Sequence, residues 1–199
     1  MRILFTLLIT FTLTTFSLAQ EYDTFISGDF SAFLRGEDDT DSKNSFFQFR
    51  PGIGKQLNPS WAVGATLNLT HSQTVFDGIS TQVGSRRFQW GFGVWARRSL
   101  NPDNQFVVFL EPTVFFGSSR LSNLQSNGDW EADENAQTQA GVGSSLGLFY
   151  HVSPRFRLLT RLGGLSVERF FENGPINAST SLNLNFGIRS VSFGAEYLW

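Results

Sequence analysis

The stretch "FQWGFGVWARRSLNPDNQFVVFLEPTVFF" (88–116) decides the fold. Phe88, Trp90, Phe92, Val94 and Ala96 are apolar at every second position, with Gln89, Gly91, Gly93, Trp95 and Arg97 between them. After "LNPDN" the alternation resumes. Phe106, Val108, Leu110, Val114 and Phe116 share one face; Val107, Phe109, Glu111, Thr113 and Phe115 share the other. Period two sustained over so many residues marks a strand with two unlike faces. Asn101-Pro102 between the runs is tight-turn chemistry, so the stretch reads as an antiparallel hairpin. Across the runs 88–96 and 106–116 that apolar face carries no charge, while the other face carries Arg87, Arg97 and Glu111.

The same pattern extends both ways. Trp61, Val63, Ala65, Leu67 and Leu69 oppose Ala62, Gly64, Thr66, Asn68 and Thr70. Further on, Ala140, Val142, Leu146, Leu148 and Tyr150 oppose Gln139, Gly141, Gly143, Ser145 and Gly147. Proline turns recur at Asn58-Pro59, Asn101-Pro102 and Ser153-Pro154, with Pro59, Pro102 and Pro154 lying 43 and 52 residues apart. They divide 20–199 into four units, each a strand, a polar loop and a strand. The loops are expected at 36–44, 73–85, 120–135 and 171–179. Four long loops at one end and three tight turns at the other describe an eight-stranded up-and-down meander, the asymmetry of a transmembrane antiparallel β-barrel.

Alternation alone does not separate such a barrel from a soluble, lipocalin-like exported one. The uncharged face decides, because a soluble barrel needs a solvated exterior. Trp61, Tyr150, Tyr197 and Trp199 also fall near strand ends, where an interfacial girdle places aromatic residues. In hydrocarbon every backbone polar group must be paired within the protein, so the sheet has to close.

Composition agrees. The chain has 199 residues, 22 Phe, 5 Trp and 19 Gly, no Cys, and a mean hydropathy of −0.10. Abundant aromatics at near-neutral hydropathy indicate alternation rather than apolar blocks. The formal charge of −2 gives no basic footprint for nucleic acid. The first residues, "MRILFTLLITFTLTTFSLAQ", combine Arg2, an apolar Thr-rich run and a small-residue ending at Ser17-Leu18-Ala19. This pattern predicts a cleavable signal peptide over 1–19, a barrel over 20–199, and export to the cell outer membrane. One irregularity stands near the end. Even positions are apolar over 182–188 and odd ones over 191–199, so the phase switches at Arg189-Ser190. A bulge within one strand fits the four-unit spacing and an even strand count better than a hairpin creating a ninth strand.

"FQFRPGIGKQLNPSWAVGATLNLTHS" (47–72), "FQWGFGVWARRSL" (88–100) and "VSFGAEYLW" (191–199) resemble the outer-membrane β-barrel domain family of small exported bacterial barrels. Pro51, Gly52, Gly54, Ala62 and Gly64 carry the resemblance, and Ala96-Arg97-Arg98 departs from the usual tyrosine-rich end of the fourth strand. The resemblance implies roles in adhesion, host-defence resistance or envelope integrity. It also implies that a last strand ending in an aromatic, here with Phe193, Tyr197 and Trp199, is the signal read by the barrel-insertion machinery.

Period two turns Asp29, Arg50, Arg87, Arg97, Glu111, Arg161 and Glu196 toward the interior. Eight strands enclose a space that side chains just fill, so these groups are expected to form an ion-paired network. The alternative is a narrow ion or small-solute channel. His71 and Ser72 are neighbours on a strand and point to opposite faces, so they make no nucleophile–base pair. No metal or cofactor site follows from the two separated histidines, nor from the acidic loop "GEDDTDSK" (36–43), which lacks calcium-loop order. The chain reads as a non-enzyme. The longest loop places Trp130 among acidic residues, an expected contact for an outside partner. Expected partners are outer-membrane lipid and lipopolysaccharide, with the chain a monomer.

Overall fold

The structure, a computed structural model, describes residues 24–37, 42–77, 82–125, 129–132, 136–172, 177–186 and 190–199. The expected signal peptide and its junction lie outside the described residues. Among the described residues ten strands are present: β1 (Thr24–Glu37), β2 (Ser42–Asn58), β3 (Trp61–Asp77), β4 (Gln82–Ser99), β5 (Phe106–Leu124), β6 (Trp130–Ala132), β7 (Gln137–Ser153), β8 (Phe156–Glu172), β9 (Asn177–Phe186) and β10 (Ser192–Leu198). All pair antiparallel with a neighbour in one sheet, and β10 pairs with both β1 and β8, which closes the sheet on itself. β6 is a short addition to the outer end of β5. β9 and β10 follow one another along β8, so the wall has eight staves.

The faces fall as period two requires. Phe88, Trp90, Phe92 and Val94 of β4 are exposed on the outside, as are Phe106, Leu110, Val114 and Phe116 of β5. Trp95, Val107 and Phe109 between them are buried inside. An outer belt this apolar is the side that faces lipid. At the end with the tight turns Trp61, Tyr197 and Trp199 are exposed, Arg98 stacks 5.7 Å over Trp61, and Phe106 and Tyr150 meet at 4.7 Å. Amphipathic rings at this level form the expected girdle. No described helix is long and apolar enough to cross a membrane.

Two details depart from the sequence expectation. The described parts of the expected long loops are largely strand. β3 and β4 stay paired from Trp61↔Arg98 to Asp77↔Gln82, and β1 and β2 out to Glu37↔Ser42. Apolar alternation stops where lipid stops, but a ladder needs only backbone, so polar residues carry it further. The phase switch is no reversal, since β9 and β10 are both antiparallel to β8. It is also larger than a one-residue bulge. Five residues, 187–191, separate Phe186 from Ser192, whereas only Leu162 separates their partners Gly163 and Arg161. Arg189 itself is outside the described residues. β8 changes phase at the same level, where Leu162 is extra relative to β7. Gly163 there has φ +138°, a region open essentially to glycine. A Cβ on it would sit 2.1 Å from the Asn185 carbonyl oxygen.

Candidate functional site in the barrel lumen

The end of the lumen nearest the tight turns is filled with apolar side chains. Phe25, Ala62, Trp95 and Leu198 form one buried cluster, and Val107, Phe109, Phe149 and Leu159 another. Glycines make room for these rings. A Cβ on Gly64 would lie 2.3 Å from the Trp95 ring, and one on Gly147 would lie 2.2 Å from the Phe109 ring. Each glycine is the ladder neighbour of the ring it admits, Gly64 opposite Trp95 and Gly147 opposite Phe109, so each ring extends over the adjoining strand.

Above this plug lies a chain of charges. Arg50 Nη2 donates to Ser192 Oγ at 2.8 Å, and Arg50 Nε to Asp29 Oδ1 at 2.8 Å. Asp29 Oδ2 pairs with Arg161 Nη1. Arg161 Nε and Nη2 both donate to Glu111 Oε1, at 3.1 and 2.8 Å. Glu111 Oε2 accepts from Arg97 Nε at 2.8 Å, and Arg97 Nη2 lies 2.7 Å from the same oxygen. Arg97 Nη1 pairs with Glu196 Oε1, and Glu196 Oε2 lies 3.8 Å from Arg157 Nη1. The chain draws on β1, β2, β4, β5, β8 and β10 and reaches across the barrel. The Arg97 guanidinium also rests on the Phe109, Trp95 and Phe25 rings, at 4.6, 4.8 and 5.8 Å. Charged groups in this setting are tolerable because each is paired and hydrogen-bonded.

Six of the seven interior residues named from the sequence are therefore in one connected network. Arg87 is not. It lines the lumen nearer the outer end, is exposed, and joins no ion pair among the described residues. Arg157 and Ser192 were missed, although period two along β8 and β10 puts them on the same face as Arg161 and Glu196. His71 sits opposite Phe47 and Phe88 on the outer face, and Ser72 opposite Arg87 on the inner one. Trp130 does not stand free, because Arg86 stacks 5.0 Å over its ring. Among the described residues no group of three or more His, Cys, Asp or Glu could hold a metal.

Beyond the network the lumen widens into a cavity of about 820 Å³. Arg50, Glu111 and Arg161 contribute to its floor, and Gln48, Asn68, Thr70, Gln89, Thr113 and Gln139 to its walls. Gln48 Nε2 donates to Asn68 Oδ1 at 2.9 Å. The lumen is thus stacked in three levels: apolar plug, ion network, polar cup.

The fold, though not this lumen, can be compared with solved structures. A major outer membrane protein of Thermus thermophilus matches at TM-score 0.53 and 13% identity, covering 90% of this chain and 100% of that one. The outer membrane protein OprG of Pseudomonas aeruginosa matches at TM-score 0.52 and 12% identity, covering 89% and 96%. The fold is that of an outer-membrane β-barrel. At these identities the likeness concerns the fold alone. No protein-family model and no curated protein sequence matches the chain.

Proposed function

We propose that this barrel resides in the bacterial outer membrane as a structural or interaction protein, neither an enzyme nor an open pore. The observation that carries the reading is the blocked lumen. A network reaching across the barrel sits on an apolar plug, and ions meeting them would have to break paired charges and then cross a dry layer. Breaking one partner of such a buried pair costs about 3–5 kcal/mol, too much for routine conduction. Lipid around the belt, lipopolysaccharide at the outer rim and the insertion machinery at the last strand are the partners this role requires.

Planar-bilayer recording tests it. Protein that migrates as a heat-modifiable band should insert without stepwise conductance. Ohmic steps that change in Glu111→Gln would establish the channel reading instead.

A further inference from the structure

Among the described residues the wall closes at one level: β1 pairs with β10 from Phe25↔Leu198 to Phe30↔Phe193. β9 continues the eighth stave outward, but its only strand partner among the described residues is β8. Between β1 above Phe30 and β9, therefore, no strand pairing among the described residues joins the two edges. Leu182 and Leu184 are exposed by 70% and 73%, more than Phe92, Val94, Val114 or Val142 elsewhere on the belt, at 49–57%. Strands flanked on both sides cover more of their neighbours' side chains, so the excess marks an edge. Ala32 and Leu34, on the facing strand, are also exposed on the outside.

The polar cup reaches this slot. Its lining runs from Arg50, Gln89 and Arg87 through Ser31 on β1 to Asn183, Asn185, Leu182 and Leu184 on β9. One continuous space thus runs from the amides and arginines to the edge strand that carries Leu182 and Leu184. The charged side chains lining it are three arginines (Arg50, Arg87, Arg161) and two glutamates (Glu111, Glu168). Arg50 is the network guanidinium that reaches into the cup, with 25% of its side chain exposed against 9% or less for Arg97, Arg157 and Arg161.

From this we infer that the cup and slot form a binding site for a single-chain amphiphile with an anionic head. The head, a phosphate or carboxylate, is held by Arg87 and Arg50 among the amide side chains, matching the planar donor fork of guanidinium. The alkyl chain leaves sideways between β1 and β9, past Leu182 and Leu184, into the bilayer. A polar head gains charge-assisted hydrogen bonds while the chain never leaves an apolar medium. The blocked lumen makes the site a dead end, so it binds without passing its ligand through, and in this respect the inference rests on the function proposed above.

The test uses the refolded protein in nanodiscs of neutral phosphatidylcholine. Radiolabelled dodecyl phosphate is titrated by equilibrium binding, with empty discs subtracted, and radiolabelled methyl phosphate serves as the tail-less probe. Dodecyl phosphate should saturate at one per protein, with methyl phosphate at least about 100-fold weaker. Arg87→Gln, outside the ion network, should weaken dodecyl phosphate about ten-fold, the effect of one charge-assisted hydrogen bond, while keeping its heat-modifiable migration. No saturable binding overturns the site. Equal binding of methyl phosphate overturns the slot and leaves a free-anion cup. An unchanged affinity in Arg87→Gln overturns the placement of the head. Conductance fails or holds separately, so a conducting barrel that still binds dodecyl phosphate refutes only the closed-lumen reading.

Discussion

Glu111 is the hinge of the interior, its two oxygens divided between Arg161 and Arg97. Glu111→Gln keeps the shape and removes the charge that both guanidiniums face. Loss of one partner in a buried pair costs about 3–5 kcal/mol, so urea unfolding of the variant in lipid vesicles should show a loss of that size. A loss below about 1 kcal/mol would mean that water, rather than Glu111, carries the charges. At this scale the sequence was legible to the extent that period two decides faces. Asp29, Arg97 and Glu196 could be turned inward without a structure, and Arg157 was open to the same inference. Which carboxylate meets which guanidinium was not legible. Asp29 and Arg161 are 132 residues apart, and only the tilt and stagger of the closed sheet set their height. The same limit separates Arg87 from the network it was expected to join.

For the strands the governing physics is the medium on each face. Val94 lies in the middle of the outer belt, half-exposed beside Phe92 on a strand that runs from Gln82 to Ser99. Val94→Arg should therefore disfavour folding into phosphatidylcholine vesicles by about 2–4 kcal/mol, measured by denaturant titration. An effect within about 0.5 kcal/mol, normal for solvent-exposed surface, would place the belt in water. Strand positions were readable because the hydrophobic alternation is long and strict. Strand ends were not, since above the belt both faces meet water and the alternation vanishes while Ser72↔Arg87 through Asp77↔Gln82 remain paired. The phase switch was readable as an irregularity, but not its size. Gly163 and Leu162 on β8 shift along with β9 and β10, a coupling that shows only once the two staves are seen side by side.

Taken whole, the barrel is held together at the seam nearest its termini. Trp199 N–H donates to the Thr24 carbonyl oxygen at 2.9 Å, and Leu198 N–H to that of Arg155 at 2.9 Å. Those bonds fasten the last residues to β1 and to the β7–β8 turn. Removal of Trp199 should reduce the amount of barrel in the outer membrane several-fold, read by fractionation and heat-modifiable migration, while protein refolded in detergent keeps its β-sheet content. Unchanged membrane levels would remove the assembly role from this residue. Topology, wall number and the inside-out sense were all legible from turn spacing and alternation. The vertical stacking of plug, network and cup was not, nor the incomplete seam, because each depends on how far one stave slides against the next.

The outward continuation of the ladders has a consequence for encounter. A 17-residue stave such as β3, at about 3.4 Å per residue and about 40° of tilt, stands roughly 45 Å tall against an apolar band of about 25 Å. Most of the surplus rises on the outer side as a hydrogen-bonded collar. The backbone freedom of this collar was given up at folding rather than at contact. A partner docking on the collar itself would find little ordering entropy left to lose, and one whose shape did not already fit would gain nothing from adjustment there.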